Sequence, residues 1–239
     1  MQRAISLFCL VWGQLAAFPF PHTPQEVVDQ IYDMLEVIDR EFEREGIPYV
    51  ISAGTLLGAV RQKGFIPWDD DADFFVLQRD VPKVLRLKQR LKCLGYGLSN
   101  NQFNYQIYPL ERRIFKQGPF VDLFPVREIS GVYTYNSSLA REMWKDWMTL
   151  HEWQERTKIP FGHLMLFAPP SIAASRMLNS LYGPNWSKEA TRIYDHNEGK
   201  LIDSEVIEVE VFAPALHSRY LSPSPESSSL STRALGDPP

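Results

Sequence analysis

The sequence concentrates carboxylates in one short segment, where four of the five residues from 69 to 73 are aspartates. Asp71 and Asp73 are separated by one residue, and at the start of a β-strand two such side chains point to the same face. Carboxylates this close repel each other, and a cation bound between them removes the repulsion. The segment therefore predicts a site for a hard divalent cation such as Mg²⁺ or Mn²⁺.

Two other interpretations of the aspartates compete with this cation site. An acidic segment is most often a solvated surface loop. The spacing of Asp69, Asp71 and Asp73 also matches the first, third and fifth positions of an EF-hand calcium loop. That loop needs glycine at its sixth position and glutamate at its twelfth, where this chain has Phe74 and Asp80. The calcium loop is therefore excluded, whereas a magnesium site for phosphoryl transfer agrees with the segment.

A Gly-Thr pair lies upstream of the aspartates, at the end of a predicted strand over residues 48–53. Gly54 and Thr55 open a predicted short helix that continues to Gln62. Glycine lets the backbone approach a phosphate closely, and the first N–H groups of a helix attract anions together with the helix dipole. A tight turn without room for a side chain is the simpler explanation of the glycine. Combined with the aspartates, the pair predicts a cation and backbone amides that converge on one phosphate.

Three stretches of the chain resemble the LicD/fukutin family: GTLLGAVRQKGFIPWDDDAD from Gly54 to Asp73, VDLFPV at 121–126 and LYGPNW at 181–186. The likeness covers residues 27–186. Members of this family have a nucleotidyltransferase-like fold related to DNA polymerase β. They transfer a phosphorylated alcohol, such as phosphocholine or ribitol phosphate, from a CDP-activated donor to a glycan hydroxyl. The resemblance implies a metal on Asp71 and Asp73, with Asp69 close by.

The same resemblance implies roles for two further residues. Asp122 matches a third carboxylate that faces the pair from a later strand, as base or as metal ligand, and Arg61 matches a ligand of the donor phosphate. A core Asp122 paired with Arg112 or Arg113 is the structural alternative, and a surface position is the alternative for Arg61. Many relatives have histidine where this chain has Gln62, so any proton transfer at that position is lost.

The resemblance implies a Mg²⁺- or Mn²⁺-dependent phosphotransferase that uses a CDP-activated alcohol and a glycan or glycoprotein acceptor. Gln62 and the unfamiliar sequence after Lys200 leave a rival interpretation, a catalytically inactive protein that binds a glycan or a partner. A nucleotidyltransferase that uses an NTP is the second rival. The net charge of -4 and the pI near 5.8 argue against nucleic acid as a partner, because no basic surface is available.

Helical and strand patterns around these residues predict an α/β fold, with a mixed sheet flanked by helices as in DNA polymerase β-type nucleotidyltransferases. An amphipathic helix is predicted from Thr23, as N-cap of a capping box with Glu26, to Gly46. Strands are predicted at 48–53, 72–77, 103–110 and 120–126, and further helices at 80–93, 137–158 and 171–182. We expect this domain to span residues 22–212.

The two ends of the chain have different compositions from the domain. Arg3 precedes an apolar run over residues 4–18, which is typical of a secretory signal peptide in residues 1–20. An uncleaved type II membrane anchor and an N-terminal core helix are the alternatives. Two glycosylation sequons, at Asn136 and Asn185, agree with a glycoprotein of the secretory-pathway lumen or a secreted one. The Ser- and Pro-rich residues 213–239 predict a disordered tail.

Overall fold

The computed structural model describes residues 20, 22–111, 119–190, 194–195, 200–201, 206–208 and 212–221. The helices are α1 (Gln25–Glu45), α2 (Ala53–Gln62), α3 (Val81–Arg86), α4 (Lys88–Cys93), α5 (Ser138–Met143), α6 (Leu150–Gln154) and α7 (Ser171–Tyr182), with 3₁₀ turns at Gln78–Asp80 and Ser218–Tyr220. The strands are β1 (Tyr49–Ile51), β2 (Asp71–Leu77), β3 (Tyr96–Asn100), β4 (Tyr105–Pro109), β5 (Phe120–Ile129), β6 (Val132–Tyr135), β7 (Met148–Thr149), β8 (Thr157–Phe161), β9 (Leu164–Ala168), β10 (Glu189–Ala190), β11 (Tyr194–Asp195), β12 (Lys200–Leu201) and β13 (Ile207–Glu208).

A mixed sheet forms the centre of the fold, with strand order β1-β2-β5-β4-β3 and with β6 and β7 continuing from β5. The pair β2 and β5 is parallel, and the other pairs of this sheet are antiparallel. The parallel register places Asp73 directly opposite Asp122. Helices flank the sheet, so the predicted mixed α/β architecture is confirmed.

The core explains why the acidic segment is not a surface loop. Every residue of β2 is buried, and its two phenylalanines, Phe74 and Phe75, are fully enclosed. A strand buried on both faces reads as a continuous apolar run, as this one does after its aspartates. Asp71 and Asp73 stand at the start of this strand and are 7% and 9% exposed. The fold therefore holds these carboxylates inside the protein, where like charges interact strongly.

Helix α1 ends as predicted but begins differently. Gly46 ends it in the left-handed conformation, with φ of 60°, and its N–H donates to the carbonyl of Glu43. Pro24 occupies the N-cap position without a side-chain cap, so the predicted capping box is wrong. The hydroxyl of Thr23 donates instead to the backbone carbonyl of Asp69. This bond ties the start of α1 to the acidic segment, a tertiary contact that local spacing does not reveal.

The predicted helix over 137–158 is also wrong. The structure divides this segment into α5, β7, α6 and the start of β8. Trp144 is extended after α5, and a new helix begins at Thr149, which forms a capping box with Glu152. The apolar residues of the segment recur at helical spacing, but they pack on different neighbours. The helix at 171–182 is confirmed by α7, the one predicted at 80–93 bends at Leu87, and β3 was not predicted.

Residues 212–221, here called the C-terminal strap, are ordered where the sequence predicted a tail from residue 213. The N–H of Ala215 donates to the carbonyl of Phe65 at 2.9 Å, and the hydroxyl of Tyr32 donates to the carbonyl of Ala215 at 2.9 Å. His217 is buried beside α1. Hydrogen bonds to α1 and to the segment after α2 hold the strap in place. The Ser- and Pro-rich composition that predicted disorder begins only after the strap, at Ser222.

Residues 1–19 of the predicted signal segment and residues 222–239 lie outside the described residues, so both predictions stay as stated. Within the described residues, we find no helix with the length and apolar character that a membrane crossing requires. The asparagines of both sequons, Asn136 and Asn185, are exposed.

Candidate active site

Three buried carboxylates from two neighbouring strands converge at the start of β2. One carboxylate oxygen from each of Asp71, Asp73 and Asp122 lies within 4.8 Å of the others. Asp69, Asp70 and Asp71 form a second, overlapping group at the same spacing. The parallel pairing of β2 with β5 produces this cluster, because it places Asp122 beside Asp73. The structure therefore brings together the carboxylates that the sequence singled out.

The electrostatics of this cluster favour a bound cation. Burial raises the pKa of Asp71 well above its ordinary value, and the neighbouring charges of Asp73, Asp69, Asp122 and Asp70 raise it further. A divalent cation would reverse this penalty, since each carboxylate then faces an opposite charge. The donors are oxygens alone, which Mg²⁺ and Mn²⁺ prefer, whereas zinc sites usually include histidine or cysteine. The residues present therefore fit the predicted ion.

Strand β4 supplies a site residue that was not predicted from the sequence. Gln106 lies opposite Asp122 in the β4–β5 register, and its Nε2 donates to Oδ1 of Asp122 at 3.0 Å. An amide donor of this kind fixes the direction of a carboxylate without neutralising it. The signal in the sequence was a polar side chain inside the predicted strand at 103–110. Gln106 is thus a positioning residue for Asp122.

The Gly-Thr pair lies at the first turn of α2, which begins at Ala53 rather than at Thr55. The hydroxyl of Thr55 accepts a hydrogen bond from the N–H of Asp73 at 2.8 Å, so this side chain fastens α2 to β2. Ala53 has φ of 40°, a left-handed conformation that is unusual for a residue other than glycine. Backbone strain of this kind is often found at functional sites. The turn holds the N-terminus of α2 against the acidic segment.

Gly54 allows that close approach. A Cβ atom added at this position would lie 2.7 Å from Oδ2 of Asp69 and 3.8 Å from Oδ2 of Asp73. The first distance is shorter than van der Waals contact allows, so the carboxylate of Asp69 would have to move. The glycine therefore keeps Asp69 near the other carboxylates, in addition to its predicted role beside a phosphate.

We expect Gly54→Ala to weaken Mg²⁺ binding by about tenfold without lowering the melting temperature. Alanine favours a helix more than glycine does, and the displaced group is the end of a flexible side chain. Calorimetric titration with Mg²⁺ and thermal denaturation measure the two effects. The same substitution in an Asp69→Ala background is the control, since no carboxylate is then left to displace. An equal loss of affinity in both backgrounds would contradict this explanation.

Arg61 is enclosed by backbone and aromatic groups rather than exposed at the surface. Its Nη1 donates to the carbonyls of Trp186 and Glu189 at 3.3 and 3.1 Å, and its Nε donates to Oε1 of Gln62 at 3.1 Å. The ring of Phe212 lies 3.9 Å from its Cζ. Burial lowers the pKa of Arg61 to about 10, so the guanidinium is still charged at neutral pH.

One nitrogen of Arg61 is left over in this arrangement. Its Nη2 is buried and has no hydrogen-bond partner in the part of the chain that the structure describes. A buried charged donor without an acceptor is costly, and an anionic ligand would satisfy it.

Gln62, the next residue, donates from Nε2 to the carbonyls of Phe65 and Ala213 at 3.1 and 3.5 Å. The amide therefore has a structural role at the position where many relatives have histidine.

The candidate site surrounds one cavity of about 470 Å³. The acidic cluster, the start of α2 and Arg61 form one part of its lining. The other part is an aromatic wall of Phe103, Phe124, Tyr135 and Trp144. Trp144 contacts Phe124 at 5.5 Å and Phe103 at 6.2 Å between ring centroids. The wall was not predicted from the sequence, because its members come from separate elements.

Tyr182, from the LYGPNW stretch, lies at the end of α7 and also lines the cavity. Burial raises the pKa of Tyr182 well above its ordinary value, and the charges of Asp73, Asp69 and Asp71 raise it further. Its hydroxyl is therefore protonated at neutral pH and available as a hydrogen-bond donor.

Asp146 lies near Tyr135 of the aromatic wall and is 1% exposed. Neither of its carboxylate oxygens forms a hydrogen bond of ordinary geometry with a described residue. Burial raises the pKa of Asp146 from 3.8 to about 6, although the nearby hydroxyl of Tyr135 lowers it. The folded state therefore keeps this proton at a pH where the unfolded chain has released it. Its contribution to the free energy of unfolding is largest below pH 3.8 and is lost as the pH rises to about 6.

We expect Asp146→Asn to raise the free energy of unfolding at pH 8, because the buried charge is removed. The gain should approach about 3 kcal/mol and disappear near pH 4. Urea unfolding at a series of pH values measures the difference between the variant and the wild type. Glu142→Gln, an exposed change on α5, is the matched control. Parallel pH curves for the wild type and Asp146→Asn would contradict the expectation.

Comparisons with known proteins find sequences that are similar to parts of this chain. Two uncharacterised proteins, from Rickettsia prowazekii and Rickettsia typhi, are each 27% identical to the chain over 70% of its length. The chain spans 59% and 50% of the lengths of these two relatives. A shorter match, 59% identical over 34 residues, covers 14% of the chain and 13% of the lipopolysaccharide cholinephosphotransferase LicD of Haemophilus influenzae.

Two solved structures are similar in part. The lincomycin-bound lincosamide adenylyltransferase LnuA has a TM-score of 0.38 at 13% identity, over 64% of this chain and 85% of its own. The complex of ANT(2'')-Ia with adenylyl-2''-tobramycin has a TM-score of 0.33 at 13% identity, over 48% of this chain and 57% of its own.

A family model described as "LicD/FKTN/FKRP, nucleotidyltransferase domain" matches residues 46–171, which is more than half of the chain. The matched region contains the Gly-Thr turn, the acidic segment and Asp122. The predicted family and the predicted nucleotidyltransferase-like fold are both confirmed. The chain therefore belongs to the LicD/FKTN/FKRP family, and the clustered aspartates lie within the region that matches its nucleotidyltransferase domain.

Proposed function

We propose that this chain is a Mg²⁺-dependent phosphotransferase, which moves a phosphorylated alcohol from a CDP-activated donor to a glycan hydroxyl. One observation carries the proposal: three buried carboxylates converge beside the start of α2 in a cavity that Arg61 also lines. Membership of the family supports a transferase with a nucleotidyltransferase-like site. The donor, the acceptor and the metal are our proposal.

Asp71 and Asp73 would hold the Mg²⁺ or Mn²⁺ ion, with Asp69 close enough to contribute a further oxygen. When bound, the ion neutralises the charge on the transferred phosphoryl group and helps to orient it. The start of α2 and Nη2 of Arg61 would bind the phosphates of the donor, because both present N–H groups to an anion. The cavity walls would exclude water from the reacting groups.

In the reaction that we propose, an acceptor hydroxyl attacks the phosphorus that bears the alcohol. A new oxygen–phosphorus bond forms, the bond from that phosphorus to the bridging oxygen breaks, and CMP leaves. Asp122 accepts the hydroxyl proton, and Gln106 orients its carboxylate for this step. The remaining acceleration comes from holding donor and acceptor in line.

The two rivals make different predictions at the same site. Three buried carboxylates that converge in one cavity support an enzyme more directly than a binding protein without activity. A nucleotidyltransferase would use an NTP and release pyrophosphate, with the same metal ligands. The products therefore distinguish the two enzymes, and donor binding distinguishes both enzymes from a binding protein.

The decisive experiment is an assay of CMP release from CDP-choline, CDP-ribitol and CDP-glycerol, with Mg²⁺ and a panel of glycan acceptors. We expect CMP release from at least one donor, dependent on both metal and acceptor. Pyrophosphate release from an NTP would favour the second rival. If calorimetry detects binding of a glycan but no binding of a donor in the presence of Mg²⁺, the proposal is wrong and the chain is a binding protein.

We also propose that the protein acts in the lumen of the secretory pathway. Asn136 and Asn185 are both exposed, as glycan attachment requires. Peptide mapping of the protein from a secretory host should find a glycan on at least one of them. Two unmodified asparagines in protein recovered from the cytosol would reject this location.

A further inference from the structure

The C-terminal strap reaches the candidate site through Phe212, its first residue. Cζ of Arg61 lies over the ring of Phe212, 3.9 Å from the ring centroid, so the aromatic ring packs against the guanidinium. A cation against an aromatic face is attracted by the ring, and the attraction is strongest where water is excluded. Arg61 is the residue with the buried Nη2 that has no partner among the described residues. The strap therefore touches a group that the proposed function places on the donor phosphates.

The far end of the strap is fastened to α1. The N–H and the hydroxyl of Ser218 donate to the two carboxylate oxygens of Asp29, at 2.8 and 2.5 Å. His217 is 6% exposed, and its Nε2 lies 3.3 Å from Oδ1 of Asp33. Gln25 donates from Nε2 to the carbonyl of Leu216 at 2.8 Å. This end is therefore anchored by side chains from three positions on one face of α1.

The middle of the strap lies against the connection between α2 and β2. Ala215 forms a β-bridge with Phe65, and the carbonyl of Ala213 accepts from Gln62. A Cβ added to Gly64 would lie 2.8 Å from Cβ of Pro214, so the two backbones approach each other closely. Anchored on both sides, the strap holds Phe212 in one position relative to the end of α2.

Arg61 is held from a second direction by the segment after α7. The carbonyls of Trp186 and Glu189 accept hydrogen bonds from Nη1 of Arg61. The ring of Phe212 packs against the guanidinium. An unrestrained arginine side chain has many rotamers, and ordering it costs free energy each time that a ligand binds. A guanidinium that is fixed before binding avoids this cost.

We propose that the C-terminal strap is a positioning element of the active site, in which Phe212 holds the Arg61 guanidinium so that Nη2 meets a diphosphate. The inference rests on the proposed function, because it assigns the anion to the donor. It adds a contribution to the site from residues beyond the region 46–171 that the family model matches. Phe212 acts through Arg61 and is a positioning residue, with no part in bond making.

Two measurements on the full chain test this inference. The first is the rate at which phenylglyoxal modifies Arg61, followed by peptide mass spectrometry without any ligand. The second is calorimetric titration with CDP in the presence of Mg²⁺, since CDP carries the diphosphate that all candidate donors share. The variants are Phe212→Ala and Phe212→Leu, each in the Arg61 and Arg61→Ala backgrounds. Phe212→Leu keeps an apolar side chain, so it serves if the alanine variant does not fold.

We expect both Phe212 variants to increase the modification rate of Arg61 and to weaken CDP binding by about tenfold. In the Arg61→Ala background the same substitutions should cause no further loss. Phe212→Tyr should restore both properties, because it keeps the aromatic face. Tyr220→Ala is the matched control on the strap, since Tyr220 stacks on His163 at 4.2 Å between ring centroids. It should leave both measurements unchanged.

An unchanged modification rate in the Phe212 variants would overturn the inference. Equal losses of CDP affinity in the Arg61 and Arg61→Ala backgrounds would overturn it as well, because Phe212 would then act on the fold in general. If the wild-type protein does not bind CDP with Mg²⁺, the proposed function fails, and the modification rate alone decides whether the strap holds Arg61.

Discussion

Replacing Asp73 by asparagine should lower the rate of transfer by about a thousandfold or more while the protein stays folded. The change removes one of the two carboxylates that we propose as the principal metal ligands. The fold should persist, because the bonds of Asp73 to Thr55 and Ser52 are made by its backbone N–H and carbonyl. Without metal, the variant should be more stable than the wild type at neutral pH, because it has one buried negative charge fewer.

Asp71→Asn should behave in the same way, since Asp71 belongs to the same group of carboxylates. CMP release gives the rate, and thermal denaturation in EDTA gives the stability. Asp70→Asn is the graded control, because Asp70 lies beside Asp69 and Asp71 but outside the group formed with Asp122. We expect a much smaller loss of rate from it. Full turnover by Asp71→Asn and Asp73→Asn would reject the metal site.

The sequence predicted the parts of the structure that depend on local pattern. Helices α1 and α7 have apolar residues at helical spacing, and β2 is a continuous apolar run, so each was placed within a few residues of its observed bounds. The pairing of Asp71 with Asp73 also follows from local geometry, because alternate residues of a strand share a face. Asp122 was assigned through the family resemblance, and the parallel β2–β5 register explains its position.

The remainder depends on contacts between distant parts of the chain. Gln106 reaches Asp122 through an antiparallel register that the sequence does not specify. The aromatic wall combines residues from a loop, two strands and the end of a helix. Phe212 is 151 positions from Arg61 and stands at the boundary where the disordered tail was predicted to begin. Such contacts are decided by tertiary packing, so single-sequence patterns give no direct signal for them.

The segment at 137–158 shows how the same packing overrides propensity. Its tryptophans and apolar residues recur at the spacing of a helix, yet Trp144 turns into the cavity wall and Trp153 is buried against Tyr133. The hydroxyl of Thr149 then accepts from the N–H of Glu152 at 3.1 Å and starts a separate helix. The capping signal was present in the sequence, but the apolar periodicity obscured it.

Asp122→Asn should lower kcat by about a hundred- to ten-thousandfold, the range expected when a general base is removed. The KM for the donor should change little, because the phosphate contacts that we propose come from Arg61 and the start of α2. Steady-state CMP release at a series of donor concentrations measures both quantities.

Magnesium affinity distinguishes the base from a metal ligand at this position. The two carboxylates of β2, on Asp71 and Asp73, are retained in the Asp122 variant, so its affinity for Mg²⁺ should decrease less than that of Asp73→Asn. Glu128→Gln, an exposed change on the same strand β5, is the matched control and should have wild-type kcat and affinity. Equal losses of Mg²⁺ affinity in Asp122→Asn and Asp73→Asn would show that Asp122 binds the metal, and the proton would then need another acceptor.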